Sequence, residues 1–295
     1  MRRLLPAFFL LALLACNGDG EKAPADALSG RGTLSFAAPG AFGDRPVVLH
    51  YFIPAGDPSG MPLLFLFPGI ERNADDYLDA WIPAASAARH AVFAFEFPAA
   101  RYTNNEYITG NVMDADGRLN PRERWTFSIV DAAFEHVRSL TGASATHFNM
   151  FGHSAGAQFV HRYLLFNPLA PVDKAVAANA GWYTMPDLSV DFPHGLKGTP
   201  VTPDDLRKAF GRNLTIHLGT GDTRQDGSLN TSPGAMKQGP HRYARGLYFY
   251  TNSRDLAALA GAPFLWQKRE LVGVGHDHAR MAADAAAIFF STAVE

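Results

Sequence analysis

Residues 147–164 read "HFNMFGHSAGAQFVHRYL", and their reading decides the fold. An apolar run of strand type ends in Gly152-His153-Ser154-Ala155-Gly156, and a helical pattern follows at once. The G-x-S-x-G spacing arises by chance in glycine-rich chains, so its context has to decide what Ser154 does. Here the serine falls just past the end of a strand and just before a helix. Ligands bind at that end of an open parallel sheet. The two glycines remove side chains that would clash in a tight turn, and the helix N-terminus points amides at the serine. Ser154 is therefore the expected nucleophile.

The flanking segments repeat the alternation. "RPVVLHYFI" (45–53), "MPLLFLF" (61–67), "AVFAFEF" (91–97), "AVAANAG" (175–181), "NLTIHLG" (213–219) and "FLWQKREL" (264–271) read as strands. Helical patterns cover 74–90, 122–140, 155–166, 253–261 and 277–293, with Pro83 expected to kink or interrupt the first. Strands alternating with helices predict an α/β fold, a mostly parallel central sheet with helices on both faces. An antiparallel strand is expected at its N-terminal edge.

A serine hydroxyl needs a base, and the base an orienting acid. Asp222 follows the penultimate strand in "TGDTRQD", with Asp226 as a second choice, and His276 and His278 follow the last strand in "VGVGHDHARM". Asp277 is a good N-cap, which puts His276 on the loop before the last helix and favours it as the base. Backbone amides of Ala155 and of Ile70, in "FPGIERNADDY", are the expected oxyanion donors. Trp182 and Tyr183 could wall a pocket, and Gln238, Arg242 and Arg245 could bind a polar or carboxylate group. Simple packing and internal salt bridges compete with those two readings.

Three other motifs are weaker. "GTGDTR" lacks the third glycine of a dinucleotide loop. "HDH" has no third ligand nearby and predicts no metal. "DADGRLNPRE" (114–123) is similar to a calcium loop, but its first ligand position would be Val112. A turn followed by a helix capped at Asn120 and started at Pro121 accounts for it better.

With these residues in hand, the chain resembles the α/β-hydrolase superfamily over nearly its whole mature length. It is similar to bacterial polyhydroxybutyrate-depolymerase-like and feruloyl-esterase-like serine esterases, through "FPGIERNADDYLDAW", "FGHSAGAQFVHRYL", "ANAGWYTMP", "LGTGDT" and "VGVGHDHARM". Many relatives have His-Gly where this chain has Pro68-Gly69. The resemblance implies hydrolysis of a small or polymeric carboxylic ester through Ser154, Asp222 and His276, with no cofactor. A serine peptidase is the nearest alternative, and a cell-surface binding protein with an inactive triad is a more distant one.

The N-terminus adds a location. Arg2 and Arg3 precede the apolar "LLPAFFLLALLA", which is too short to span a bilayer and reads as a signal peptide, residues 1–15. Leu13-Leu14-Ala15-Cys16 resembles a bacterial lipobox, with Cys16, the only cysteine in the chain, as the lipidated residue. Residues 16–32 read as a tether and 33–295 as one domain. Asn17 resembles outer-membrane sorting, so the expectation is a bacterial cell envelope protein held at the outer membrane by lipid alone. Without residues 1–15 the chain carries 24 basic against 28 acidic side chains, which disfavours nucleic acid as a partner. At 47% hydrophobic and 12% aromatic residues, there is material for one sizeable core.

Overall fold

The structure, a computed structural model, describes residues 28–290, so the expected signal peptide and Cys16 lie outside it. In chain order the strands are β1 (Gly30–Phe36), β2 (Val47–Ile53), β3 (Leu63–Phe67), β4 (Ala91–Glu96), β5 (Phe148–His153), β6 (Val172–Ala178), β7 (Asn213–Gly219) and β8 (Gln267–Leu271). The helices are α1 (Ala74–Ala88), α2 (Asn104–Ile108), α3 (Phe127–Thr141), α4 (Ala155–Phe166), α5 (Pro203–Phe210), α6 (Pro233–Met236), α7 (Arg242–Leu259) and α8 (His278–Phe290). The strands form one sheet in the order β1-β2-β4-β3-β5-β6-β7-β8. Pairing is antiparallel at β1–β2 and β2–β4 and parallel everywhere else.

The period-2 alternation of the strands divides the core in two. Leu63, Phe65 and Phe67 of β3 join the larger cluster with residues of α3, α4, α5 and α7. Leu64 and Leu66 point the other way, into a smaller cluster with α1 and α8. A strand buried on both faces needs an unbroken apolar run, which is what "LLFLF" supplies. α4 goes further, with all twelve of its residues buried.

Several expectations need correction. β1 begins at Gly30, inside the segment that composition assigns to the tether. Pro83 does not interrupt α1, because it sits on the exposed side and the carbonyl it leaves unpaired belongs to exposed Asp79. Asn120 caps no helix: its side chain donates to the Asn111 carbonyl at 2.9 Å, and α3 starts only at Phe127. Extended Trp125 (ψ 127°) separates a short 3₁₀ turn, Arg122–Arg124, from α3. In the 114–123 loop, Asp114 Oδ1 accepts the amides of Asp116 and Arg118, both at 2.9 Å, so its carboxylate closes the turn. The pattern at 253–261 is only the end of α7, whose N-cap is His241, bound through Nδ1 to the Ala244 amide.

Four histidines are buried among the described residues: His90 just before β4, His153 at the end of β5, His161 in α4 and His217 in β7. Burial lowers His90, holds His153 and His161 well below the usual imidazole range and draws His217 down to about 4. The unfolded chain takes up protons near pH 6.5 that the native chain refuses, so native stability falls as the pH drops below that value. Each such group steepens the loss toward about 1.4 kcal/mol per pH unit. Urea unfolding between pH 7.5 and 5 should show the midpoint falling steadily below pH 6.5. A midpoint that is flat or rising across that window would contradict the neutral burial of these rings.

Candidate active site

The turn after β5 is under steric compression. Ser154 has φ +57° and ψ −114°, a region L residues rarely adopt and one that costs on the order of 1–3 kcal/mol. Its amide bonds the Ala178 carbonyl at 2.9 Å, and its own carbonyl receives the Gln158 amide at 3.2 Å. A Cβ on Gly152 would lie 2.2 Å from the Gly156 carbonyl oxygen. One on Gly156 would lie 1.8 Å from the carbonyl oxygen of Phe67, the last residue of β3. Only glycine permits this approach. It brings the loop after β3 beside the serine, where a Cβ on Gly69 would stand 3.8 Å from the Cβ of Ser154.

The loops after β7 and β8 converge on the same place. His276 Nδ1 donates to Asp222 Oδ2 at 2.7 Å, and Asp222 is 2% exposed. With the proton fixed on Nδ1, the Nε2 of His276 is left as an acceptor. Buried Asn179, just past β6 with φ +48°, ties the two loops together. Its Oδ1 accepts the Gly219 amide at 2.8 Å, and its Nδ2 donates to the Gly275 carbonyl at 3.1 Å. The Asp277 carboxylate caps α8 through the Arg280 amide at 3.0 Å, so His276 lies outside the helix and His278 is its first residue.

Ser154 opens onto two cavities. One, of about 240 Å³, is lined by His276, His278, Tyr77 and Glu71; the other, of about 320 Å³, by Trp182, Gln158, Asn104, Asn230 and Arg242. Ile70 and Ser228 line both. Ala155 is the first residue of α4, so its amide has no acceptor within the helix, and the amide of Ile70 lies in the adjoining loop. Pro68-Gly69 is held by the Tyr107 hydroxyl donating to the Pro68 carbonyl at 2.7 Å.

A cluster that sequence reading missed supports this loop. The Tyr77 hydroxyl hydrogen-bonds His153 Nδ1 at 2.9 Å and lies against Gly69. His278 stacks on Tyr77 with ring centroids 4.3 Å apart, and His153 lies 4.5 Å from the His276 ring. Burial, then the neighbouring His276 and His278, keeps His153 neutral. No periodicity marks Tyr77 or His153 as neighbours, since they are 76 positions apart.

The expected pocket residues divide. Trp182 does wall the larger cavity, with the Arg162 guanidinium 4.1 Å over its ring. Tyr183 instead faces the core, stacked on Phe249 at 4.3 Å. Gln238 accepts the Tyr183 amide at 2.9 Å and donates to its carbonyl at 2.7 Å, so it pairs backbone and not substrate. Arg245 is spent on the carbonyls of Gly239, Gly181 and Asn230. Arg242 binds Asp226 through two nitrogens, at 2.8 and 3.0 Å, and stands 3.6 Å from Asp222 Oδ1. Asp226 thus serves Arg242, while Asp222 is the acid that reaches the imidazole.

A scan against models of protein families finds no match, and none is found among curated proteins. Solved structures do match. Poly(aspartic acid) hydrolase-1 from Sphingomonas sp. KT-1 is 38% identical, with a TM-score of 0.85 over 89% of this chain and 99% of that one. LpqC, a poly(3-hydroxybutyrate) depolymerase from Bordetella parapertussis, is 34% identical, with a TM-score of 0.84 over 89% and 91%. An S-formylglutathione hydrolase from Agrobacterium tumefaciens shares the fold alone, at 13% identity and a TM-score of 0.58 over 88% and 92%. An eight-stranded, mostly parallel sheet, a glycine-flanked serine turn and two relatives above 30% identity lead to one assignment: the chain belongs to the α/β-hydrolases and is a hydrolase.

Proposed function

We propose that Ser154, His276 and Asp222 form a catalytic triad that hydrolyses carboxylic esters through an acyl-enzyme. The observation that carries this reading is the 2.7 Å bond from His276 Nδ1 to buried Asp222, with His276 and Ser154 lining one cavity. His276 Nε2 takes the Ser154 proton as Oγ attacks the ester carbonyl, and the amides of Ile70 and Ala155 receive the developing oxyanion. The tetrahedral intermediate collapses as His276 returns the proton to the leaving alcohol. Water then attacks the acyl-enzyme by the same route. His276 must reach the leaving oxygen, so the alcohol departs through the cavity that His276 lines. The acyl group occupies the other cavity.

Polymeric substrates fit this reading, since two relatives are named for polymers. Amide cleavage is the second reading, favoured by the relative named for poly(aspartic acid), whose units are joined by amide bonds. Rates on matched ester and amide substrates separate the two.

Ser154→Ala should lower ester kcat on the order of a million-fold while leaving the fold intact. His276→Ala should cost several orders of magnitude, and His278→Ala less than about tenfold, because His278 stacks on Tyr77 while it is His276 that bonds Asp222. Steady-state kinetics with a short-chain ester reads all three. A Ser154→Ala enzyme within tenfold of wild type would remove the serine, and a reversed histidine ranking would remove His276.

We further propose that Cys16 is lipidated and holds the enzyme at the bacterial outer membrane. Support comes from the Leu13-Leu14-Ala15-Cys16 sequence and the absence of any other cysteine. Metabolic labelling with a fatty-acid analogue should mark the wild type and not Cys16→Ser. Equal labelling of both would contradict the anchor.

A further inference from the structure

The larger cavity beside Ser154 has walls held by buried arginines that lack carboxylate partners. Arg162 donates to the carbonyls of Ile108 and Gln158, at 2.9 and 3.1 Å, and to Thr184 Oγ1. Arg245 binds the carbonyls of Gly181 and Asn230, at 2.6 and 2.8 Å. Arg72 donates to Asn104 Oδ1 at 2.8 Å. None of the three has an acidic oxygen within 4.0 Å among the described residues. Burial draws Arg162 down to about 9, which leaves it cationic at neutral pH. The charge of Arg242 is offset by Asp226 and Asp222, so the balance behind these walls is positive.

The polar ends left on the walls are mostly donors. Asn104 Oδ1 is committed to Arg72, and Asn230 Oδ1 to the Ser232 amide at 2.8 Å, which leaves each residue its Nδ2. Arg242 is 1% exposed, and its Nε–H is buried without a partner. The Gln158 Oε1, also buried without a partner, is the one acceptor in this set. A buried polar group without a protein partner is met by water or by a ligand. Donors backed by cations that make no close ion pair select an anion, because a carboxylate satisfies both needs.

We infer that this cavity is a carboxylate subsite, and that the preferred ester carries a short acyl group ending in a carboxylate. The inference rests on the Ser154–His276 reading, which puts the acyl group on this side. At about 320 Å³ the cavity suits a short chain. A site built to hydrogen-bond its substrate discriminates strongly against an analogue that leaves those groups unpaired.

The test compares kcat/KM for monoethyl succinate and for ethyl pentanoate, which are similar in length, in a pH-stat at pH 7.5. The wild type should favour the succinate ester at least tenfold. Asn104→Asp and Asn230→Asp, each of which puts a negative oxygen where a donor stood, should lower the succinate-to-pentanoate ratio at least fivefold. Should either variant fail to fold, free succinate in place of the variants should inhibit the wild-type pentanoate reaction competitively, and more tightly than free pentanoate. A wild-type ratio of one or less, a ratio unmoved by both variants, or equal inhibition by the two acids would overturn the subsite while ester hydrolysis stands. Turnover of neither ester would instead overturn the hydrolase reading, and the subsite with it.

Discussion

The site depends on a contact that tolerates no side chain. Where α4 leaves the end of β5, its first turn presses on the last carbonyl of β3, so closely that a Cβ at Gly156 would overlap the Phe67 oxygen at 1.8 Å. β3 and β5 are adjacent central strands paired from Leu63–Phe148 to Phe67–Gly152. Their ends therefore cannot separate without breaking the middle of the sheet. That rigidity is what keeps Ser154 at φ +57°. The strain of order 1–3 kcal/mol is small against the burial of every residue of α4. The same contact brings Gly69 and Ile70 to the serine, so the proposed nucleophile and oxyanion donors share a single cause.

Asp222 and His276 reach the site differently, on loops tied to one another. Asn179 accepts from Gly219 and donates to Gly275, and the Gly221 amide bonds the Val274 carbonyl at 2.8 Å. Thr220 Oγ1 adds a bond from the Gly273 amide at 2.8 Å. Each is worth about 1 kcal/mol, but together they set the loops that carry Asp222 and His276 relative to each other. Arg242 plays a similar part on the other side of Asp222, where Asp226 and Ser228 fix its guanidinium. Buried arginines then hold the walls of the larger cavity by their carbonyls, which makes the shape of the pocket and its positive charge products of the same side chains.

Much of this was legible in the chain. The order of strands and helices follows from apolar runs and their periods, and Ser154, Asp222 and His276 stand out as candidates because each sits just past a strand. The Asp277 cap sets His276 outside α8 and His278 inside it. What stayed illegible has a common physical form. Gln238, Arg245 and Tyr183 lie in excursions without periodicity, and their partners are set by tertiary contact: Gln238 clamps the backbone of Tyr183, 55 positions away. An arginine in such a loop reads as a substrate ligand until its acceptors are known, and for Arg245 those are backbone carbonyls. Asn179 looked like part of a strand because nothing local announces its positive φ. β1 carries a faint apolar signal because it is a mostly exposed edge strand beginning with two glycines in three residues.

The central claim is that one serine, Ser154, is the nucleophile. Ser228 is its closest rival, since it lines both cavities, but its Oγ already donates to Asp226 at 2.6 Å and accepts from Arg242 at 2.6 Å. Treatment with a fluorophosphonate, followed by peptide mapping in a mass spectrometer, decides between them. One adduct per chain, on Ser154, is the predicted result. An adduct on Ser228, or none on a folded and active enzyme, would contradict the account.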